Sequence, residues 1–444
     1  MPLAPALGCA CGEPSMTSEF IVDGWSASGP TVTLRYRSGE FSFAEHIQFS
    51  VDVDAQGTVE RLLDLLSIVA GVSYAKAMAP TSVTFPQLDI SDAGYRLVCK
   101  TYNEGMREFA FHNGLPLSST FEIADNARGG DFTIEAMRSE SGSPLIPFGA
   151  GRDSCVVASA LRHLNPTLFT IGVNPYAQRI ADQLSLPLLT ASRSLDPMLL
   201  KLNDAGAPNG HVPVTAINSL ISLIAAELTG HTSVVMANEK SASRPTRIVD
   251  GVEVNHQFSK SLEFQRVLSS AVDTAGSLVR YTSVLRDIPD QHISKAFATQ
   301  CADLHPLFMS CNQAMLRNES QRSSGWCCQC PKCRGMFLSL APFLSPSEMT
   351  AIFGRDLLND SSQLVGFLDL MSDESKPFEC VADVGEAKES MRQLVRSPEW
   401  SKHLVVVACR DICETPLQEQ LDELLEWSDT SFETEIQAFL GDPE

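Results

Sequence analysis

The stretch Pro147-Phe148-Gly149-Ala150-Gly151-Arg152-Asp153-Ser154 decides the reading of this chain. Before it runs an apolar segment from Pro144 to Phe148, and after it a helical pattern from 154 to 163. The small residues between let backbone N–H groups turn towards an anion, and the following helix adds the positive end of its dipole. No Gly-Lys-Ser/Thr closes the turn, so it is not a Walker loop. Short apolar strands and helices then alternate: Leu168 to Val173, 176 to 184, Leu186 to Thr190, 213 to 228 and Ser233 to Ala237. That alternation predicts a parallel sheet with ligands beyond the strands' carboxyl ends.

Upstream the pattern differs. Apolar residues alternate from Ile21 to Val53, with Val32, Leu34 and Tyr36 before Ser38-Gly39-Glu40 and Phe41 and Phe43 after it, which predicts a β-hairpin. Helical spacing follows from Val59 to Val69 and from Tyr95 to His112, and the change of pattern falls after Gly129-Gly130. The predicted fold is an α/β core with a parallel sheet, an N-terminal α+β domain and a zinc-bearing, mainly helical C-terminal region. The expected boundaries are a flexible 1–17, an α+β domain at 18–135, the α/β domain at 136–300, a cysteine segment at 301–340 and helices over 341–444 with acidic stretches near 416–440.

With 444 residues, 44% hydrophobic and 20% charged, the composition is that of a globular protein with room for two or three cores. Acidic residues outnumber basic ones 54 to 33, and the net charge of −21 argues against nucleic acid and anionic membrane surfaces as partners. No apolar run of about 20 residues is present to cross a bilayer. Met1 to Met16 carries no secretory pattern, Met16 being an alternative start, so membrane insertion is not expected and the cytoplasm is. Six of the thirteen cysteines crowd between Cys301 and Cys333. Cys311 followed by Cys327-x-x-Cys330-x-x-Cys333 has the spacing that wraps a tetrahedral Zn²⁺, and an all-sulfur set leaves no open position, so the expected ion is structural. Cys328 is the spare thiol.

The loop resembles the Ser-Gly-Gly-x-Asp-Ser turn of the PP-loop ATP pyrophosphatases, with Gly149 in place of the serine and Ala150 in place of a glycine. With the cysteine cluster the layout is similar to that of the 7-cyano-7-deazaguanine synthases, which are shorter and carry the loop near the N-terminus. Further segments, Gly210-His211-Val212-Pro213-Val214-Thr215, Asn238-Glu239-Lys240-Ser241-Ala242-Ser243, Asn255-His256-Gln257-Phe258-Ser259-Lys260 and Pro377-Phe378-Glu379-Cys380, give a closer likeness. From about residue 18 to 440 the chain resembles the MurL family, the UDP-N-acetylmuramoyl-L-alanyl-L-glutamate epimerases of bacterial peptidoglycan synthesis.

That resemblance implies ATP and Mg²⁺, UDP-MurNAc-L-Ala-L-Glu as substrate, inversion of its terminal L-Glu, and release of AMP and diphosphate in the bacterial cytoplasm. The chemistry is coherent: an α-proton beside a carboxylate resists removal, whereas an acyl-adenylate carbonyl accepts the developing charge. The expected ATP contacts are Gly149, Ala150, Gly151, Arg152, Asp153 and Ser154, with Asp153 towards Mg²⁺. For proton transfer His211 comes first and then Glu239 or Lys240, against the alternative that His211 is a cap or core group. Cys155 and Cys380 form a two-thiol alternative. Arg193, Arg244 and Arg247, with Arg35 and Arg37 on the hairpin, are candidates for the substrate's phosphates and carboxylates, or are solvated surface charges. Asn255, His256 and Lys260 would hold the adenylate or cap a helix. Two alternatives stand beside this: another adenylating enzyme forming an amide, a nitrile or a thiolated base, and a zinc-stabilised nucleotide sensor or RNA-binding module.

Overall fold

The computed structural model of the chain describes residues 19–118, 120–124, 142–316, 319–411 and 432–441. The expected flexible segment 1–17, the boundary at Gly129-Gly130 and most of the acidic stretch 416–440 lie outside those residues.

Alternating buried residues form β1 (Glu19–Ser28), β2 (Thr31–Ser38) and β3 (Phe41–Gln48), an antiparallel meander. Val32, Leu34 and Tyr36 face inward, and the β2–β3 turn uses Gly39 at φ 57°, a left-handed position suited to glycine. β4 (Ser82–Thr84) and β5 (Glu122–Ile123) extend this side in parallel. The helix expected from Val59 runs over Thr58–Ala70. The pattern from Tyr95 to His112 resolves into helices Asp92–Tyr102 and Arg107–Asn113 with a 3-10 turn, Glu104–Met106, between them.

The α/β half contributes β6 (Pro144–Pro147), β7 (Thr167–Ile171), β8 (Leu188–Ser194), β9 (Ser233–Met236) and, beyond a short hairpin of β10 (Arg247–Val249) and β11 (Val252–Val254), β12 (Arg280–Ser283). Their spatial order is β12-β9-β6-β7-β8, all parallel. From β6 the chain winds outward through β7 and β8, then returns to the other side of β6 for β9 and β12. The reversal lies between β6 and β9, where a doubly wound sheet opens a crevice.

The two halves share one sheet. β3 pairs antiparallel with β8 through Ile47 and Arg193, giving the ten-stranded order β12-β9-β6-β7-β8-β3-β2-β1-β4-β5. Buried Glu45 takes both arms of the Arg193 fork at 2.7 and 3.1 Å, and Ser73 accepts a third bond at 2.9 Å, so this seam is held by charge as well as backbone. Beyond the cysteine segment the described chain is helical, over Pro331–Leu340, Pro346–Phe353, Leu364–Leu370, Val384–Arg396, Leu404–Ala408 and Glu433–Leu440. No helix among the described residues is long and apolar enough to cross a membrane.

Candidate active site

A cleft of about 930 Å³ opens beyond the carboxyl ends of β6, β7 and β9, lined by Gly149, Gly151, Arg152, Asp153 and Ser154 on one wall. The helix begins at Arg152, two residues earlier than the sequence pattern suggested, which puts Asp153 in its first turn. Gly149 has nothing within 4 Å of where a Cβ would stand, so the turn is open on its ligand side, whereas a Cβ at Gly151 would meet Ser310 Oγ at 3.1 Å. Ala150 lies at φ 63°, a left-handed conformation that costs an alanine about 1–2 kcal/mol. Its neighbours hold it there: Met309 N–H donates to Ala150 O at 2.8 Å, and Asn174 Nδ2 donates to Gly149 O at 3.2 Å.

Arg152 does not reach for a ligand. It is 3% exposed, and it donates to Asp153 Oδ1 at 2.7 Å, Asp290 Oδ1 at 2.6 Å, Glu239 Oε2 at 3.4 Å and Ser294 Oγ at 2.6 Å. One guanidinium thus faces three carboxylates. Burial, with Asp153 and Asp290 adding, pushes the Glu239 carboxyl well above its usual range. Burial opposes ionisation of Asp290 too, yet Arg152 outweighs it and holds that carboxyl below its usual value. Asp153 and Glu239 both line the cleft beside the glycine turn, and a divalent cation there would favour the ionised form of Glu239 that burial opposes.

Sequence reasoning missed a second constellation on another wall. Cys380 and Lys260 line the cleft, and Lys260 Nζ donates to Cys380 Sγ at 3.2 Å. His256 hydrogen-bonds the same sulfur, and its Nδ1 lies 2.6 Å from Glu108 Oε2. Burial disfavours a Cys380 thiolate, but Lys260 and His256 outweigh it and bring the thiol down to about 5. Burial likewise opposes the His256 imidazolium, which Cys380 and Glu108 hold up to about 9. A thiolate, an imidazolium and an orienting carboxylate make the arrangement of an activated nucleophile.

His211 lies behind this group, its ring centroid 4.3 Å from that of His256 and its Nδ1 4.0 Å from Glu108. Burial, reinforced by His256, lowers it to about 4, so it is the neutral member of the pair. Glu239 reaches the cleft, whereas His211 and Lys240 are absent from its lining. Cys155 is fully buried with its thiol pushed up by burial, and it is not brought to Cys380. Of the three residues expected to hold adenylate or cap a helix, none caps: Ser261 takes that position for Leu262–Thr274.

The five candidate arginines are scattered. Arg193 lines the cleft with its fork on Glu45, Arg244 pairs with Asp383 at 2.5 Å, and Arg247 donates to Glu374 O while covering the rings of Phe111 and Phe378. Arg35 and Arg37 stand on the outer face of the meander, bonded to Ser26 and Asp23. Lys332 also lines the cleft, where its charge adds to those that favour the Cys380 thiolate.

The four cysteines do converge. Cys311, Cys327, Cys330 and Cys333 place their sulfurs within 4.8 Å of one another, with Cys327–Cys333 at 3.7 Å and Cys330–Cys333 at 3.5 Å. Four sulfurs at about 2.3 Å from one ion would stand about 3.8 Å apart, so the set fits tetrahedral Zn²⁺. Amide groups support it: Cys327 N–H points to Cys311 Sγ at 3.4 Å and Gln329 N–H to Cys327 Sγ at 3.5 Å. Cys328 turns away, 2% exposed, with its thiol on Phe353 O.

Known proteins share this chain's sequence over most of its length. Residues 14–284 match the MurL N-terminal domain and residues 307–424 the MurL C-terminal domain. The chain is 38% identical over 406 residues to a UDP-N-acetyl-alpha-D-muramoyl-L-alanyl-L-glutamate epimerase of Salinispora tropica, covering 89% of this chain and 86% of that one. Proteins of the same description from Micromonospora sp. and Xanthomonas oryzae pv. oryzae are each 38% identical, over 408 residues (89% of this chain, 88% of that one) and 372 residues (82% and 80%). No solved structure matches. Glu108, His256 and Lys260 fall in the first matched region and Cys380 in the second, so the thiol cluster is built by both.

Proposed function

This chain belongs to the MurL family, and on that premise we propose that it inverts the terminal L-Glu of UDP-MurNAc-L-Ala-L-Glu through an acyl-adenylate, converting ATP to AMP and diphosphate. The reaction serves peptidoglycan precursor synthesis in the bacterial cytoplasm. One observation carries this reading: an open glycine turn at the reversal of a doubly wound sheet shares its cleft with carboxylates on one wall and an activated thiol on another.

In this reading the turn from Gly149 to Ser154 cradles the phosphates with backbone N–H groups, and Arg152 fixes the carboxylates rather than the nucleotide. Asp153, and Glu239 once a second cation ionises it, would hold Mg²⁺, which would supply positive charge beside the phosphates. The substrate carboxylate attacks the α-phosphate, a C(O)–O–P bond forms, and diphosphate leaves. The activated acyl group then draws the charge that α-proton removal creates into its carbonyl, beside the cations Lys260 and His256. Neutral His211 packs against the His256 ring and supports it from behind the cleft. Lys332 offers the substrate's anionic groups a cation, a role the buried fork of Arg193 does not fill. The four-cysteine set holds Zn²⁺ as a structural ion.

The test incubates purified protein with ATP, Mg²⁺ and UDP-MurNAc-L-Ala-L-Glu in D₂O. AMP, diphosphate and α-deuterated D-Glu are the expected products. ADP, or inversion without ATP, overturns the adenylate route, and AMP without inversion moves the chemistry to another carboxylate.

A further inference from the structure

Activation of the substrate as an adenylate does not by itself require a thiol, yet the cleft contains a built one. Cys380 sits at the end of the Pro377–Cys380 segment, which is fastened on both sides. Glu379 accepts a bond from Asn312 Nδ2 at 2.6 Å, and the Phe378 ring packs on Phe111 and His112 at 5.7 and 5.1 Å under the Arg247 guanidinium. The sulfur therefore has a fixed place, with Lys260 and His256 bonded to it and Glu108 orienting His256.

These contacts distinguish two uses of a thiolate. A pair of groups that exchange the α-proton from opposite faces must stand on either side of the α-carbon, with the substrate between them. Lys260 touches Cys380 at 3.2 Å, which leaves no room for a carbon between the two. Cations bonded directly to the sulfur would instead flank a carbonyl carbon attached to it, and there they would meet the oxygen on which charge develops.

We propose that Cys380 takes the glutamyl acyl group from the adenylate, and that the α-carbon is inverted on the resulting thioester. The inference rests on the adenylate reading above. In the first step Cys380 Sγ, entering as a thiolate, adds to the adenylate carbonyl. An S–C bond forms, the C–O bond to phosphate breaks, and AMP leaves with the electron pair, so no proton is needed. While the thioester stands, the α-C–H bond breaks, its proton passes to a base in the cleft, and its electron pair enters the C=O as an enolate held by Lys260 and His256. A proton returned to the other face completes the inversion. Water then adds to the thioester, the S–C bond breaks with its electron pair going to sulfur, the thiolate is restored, and both protons of the water pass to solvent as the new carboxylate forms. Sulfur suits the middle step because it donates poorly into a carbonyl, which leaves the α-proton more acidic than it is beside a carboxylate.

The experiment uses the full chain under single-turnover conditions with enzyme in excess, ATP, Mg²⁺ and UDP-MurNAc-L-Ala-L-Glu, quenched in acid at intervals. The expected result is a transient adduct on Cys380 of the substrate's acyl mass, cleaved by neutral hydroxylamine, appearing with AMP and before free D-Glu product. Cys380→Ala should keep diphosphate–ATP exchange and lose AMP release and α-deuterium incorporation by at least about a thousandfold. Inversion by Cys380→Ala at a rate near that of the unaltered protein overturns the proposal. So does absence of the adduct at every interval while AMP and product accumulate. Failure of diphosphate–ATP exchange in the unaltered protein would instead strike the adenylate reading itself.

Discussion

Replacing Arg152 by methionine removes a buried cation and leaves Asp290, 3% exposed, and Glu239, 8% exposed, without it. Breaking a buried ion pair by deleting one partner costs about 3–5 kcal/mol, because the remaining charge cannot be resolvated. An unfolding entropy near 2.1 cal/mol/K per residue, over 444 residues, gives about 0.9 kcal/mol/K, so Tm should fall by about 3–5 °C. The loss has a pH signature. Without Arg152 both carboxyls would titrate above their unfolded values, so the stability they allow is full in acid and is lost as pH rises through the raised values. The Tm gap between Arg152→Met and the unaltered protein should therefore narrow from pH 8 to pH 5 in differential scanning calorimetry. Adding Asp290→Asn and Glu239→Gln should close most of it at neutral pH. An unchanged Tm, with ATP affinity reduced tenfold or more by isothermal titration, would place the guanidinium on a phosphate and refute the clamp.

The remaining predictions concern the turn, the thiol centre and a buried acid. Gly149→Ser finds free space at its Cβ, so Tm should stay within about 1 °C and ATP affinity, measured by titration calorimetry, should not fall. Protein purified without chelator should carry about one zinc per chain by elemental mass spectrometry. Cys333→Ser should lose it and, because Met309 beside Cys311 holds Ala150, should also weaken ATP binding. Burial, with Asp383 adding, raises Glu386 to about 8, so the stability tied to its protonated form is present below its unfolded value near 4.5 and declines as pH rises to 8. The Tm of Glu386→Gln, relative to the unaltered protein, should therefore increase across pH 5 to 8.

Periodicity made the α/β half legible: β6, β7, β9 and their helices fall within a few residues of the apolar runs, and the turn at Gly149 lies at the sheet's reversal. The cysteine spacing brought its four sulfurs together because ligands so close in sequence need little help from the fold. Side-chain direction was not legible. Arg152 adjoins a phosphate-like turn in sequence, but the buried acids Asp290 and Glu239, distant along the chain, draw it inward. The thiol cluster combines positions 108, 256, 260 and 380, and no local pattern links a glutamate in Arg107–Asn113 to a cysteine far beyond it. The quoted segments around His256 and Cys380 were the available signal, and their meeting is a property of tertiary packing. The same holds for the shared sheet, since nothing in the hairpin's alternation tells which edge β3 will join.

The seam between β3 and β8 bears on how the protein can be divided. A chain started at Gly142 would keep β6 to β12 yet uncover the backbone of Ser192, Arg193 and Ser194, and would leave the Arg193 fork without Glu45. A piece ending at Ala124 would bare the opposite rim at His46 to Gln48. Each piece would offer an unpaired strand rim, the geometry from which strands recruit foreign chains. Produced apart they should precipitate, and produced together they should find each other, because the rim that makes each piece sticky is complementary to the other.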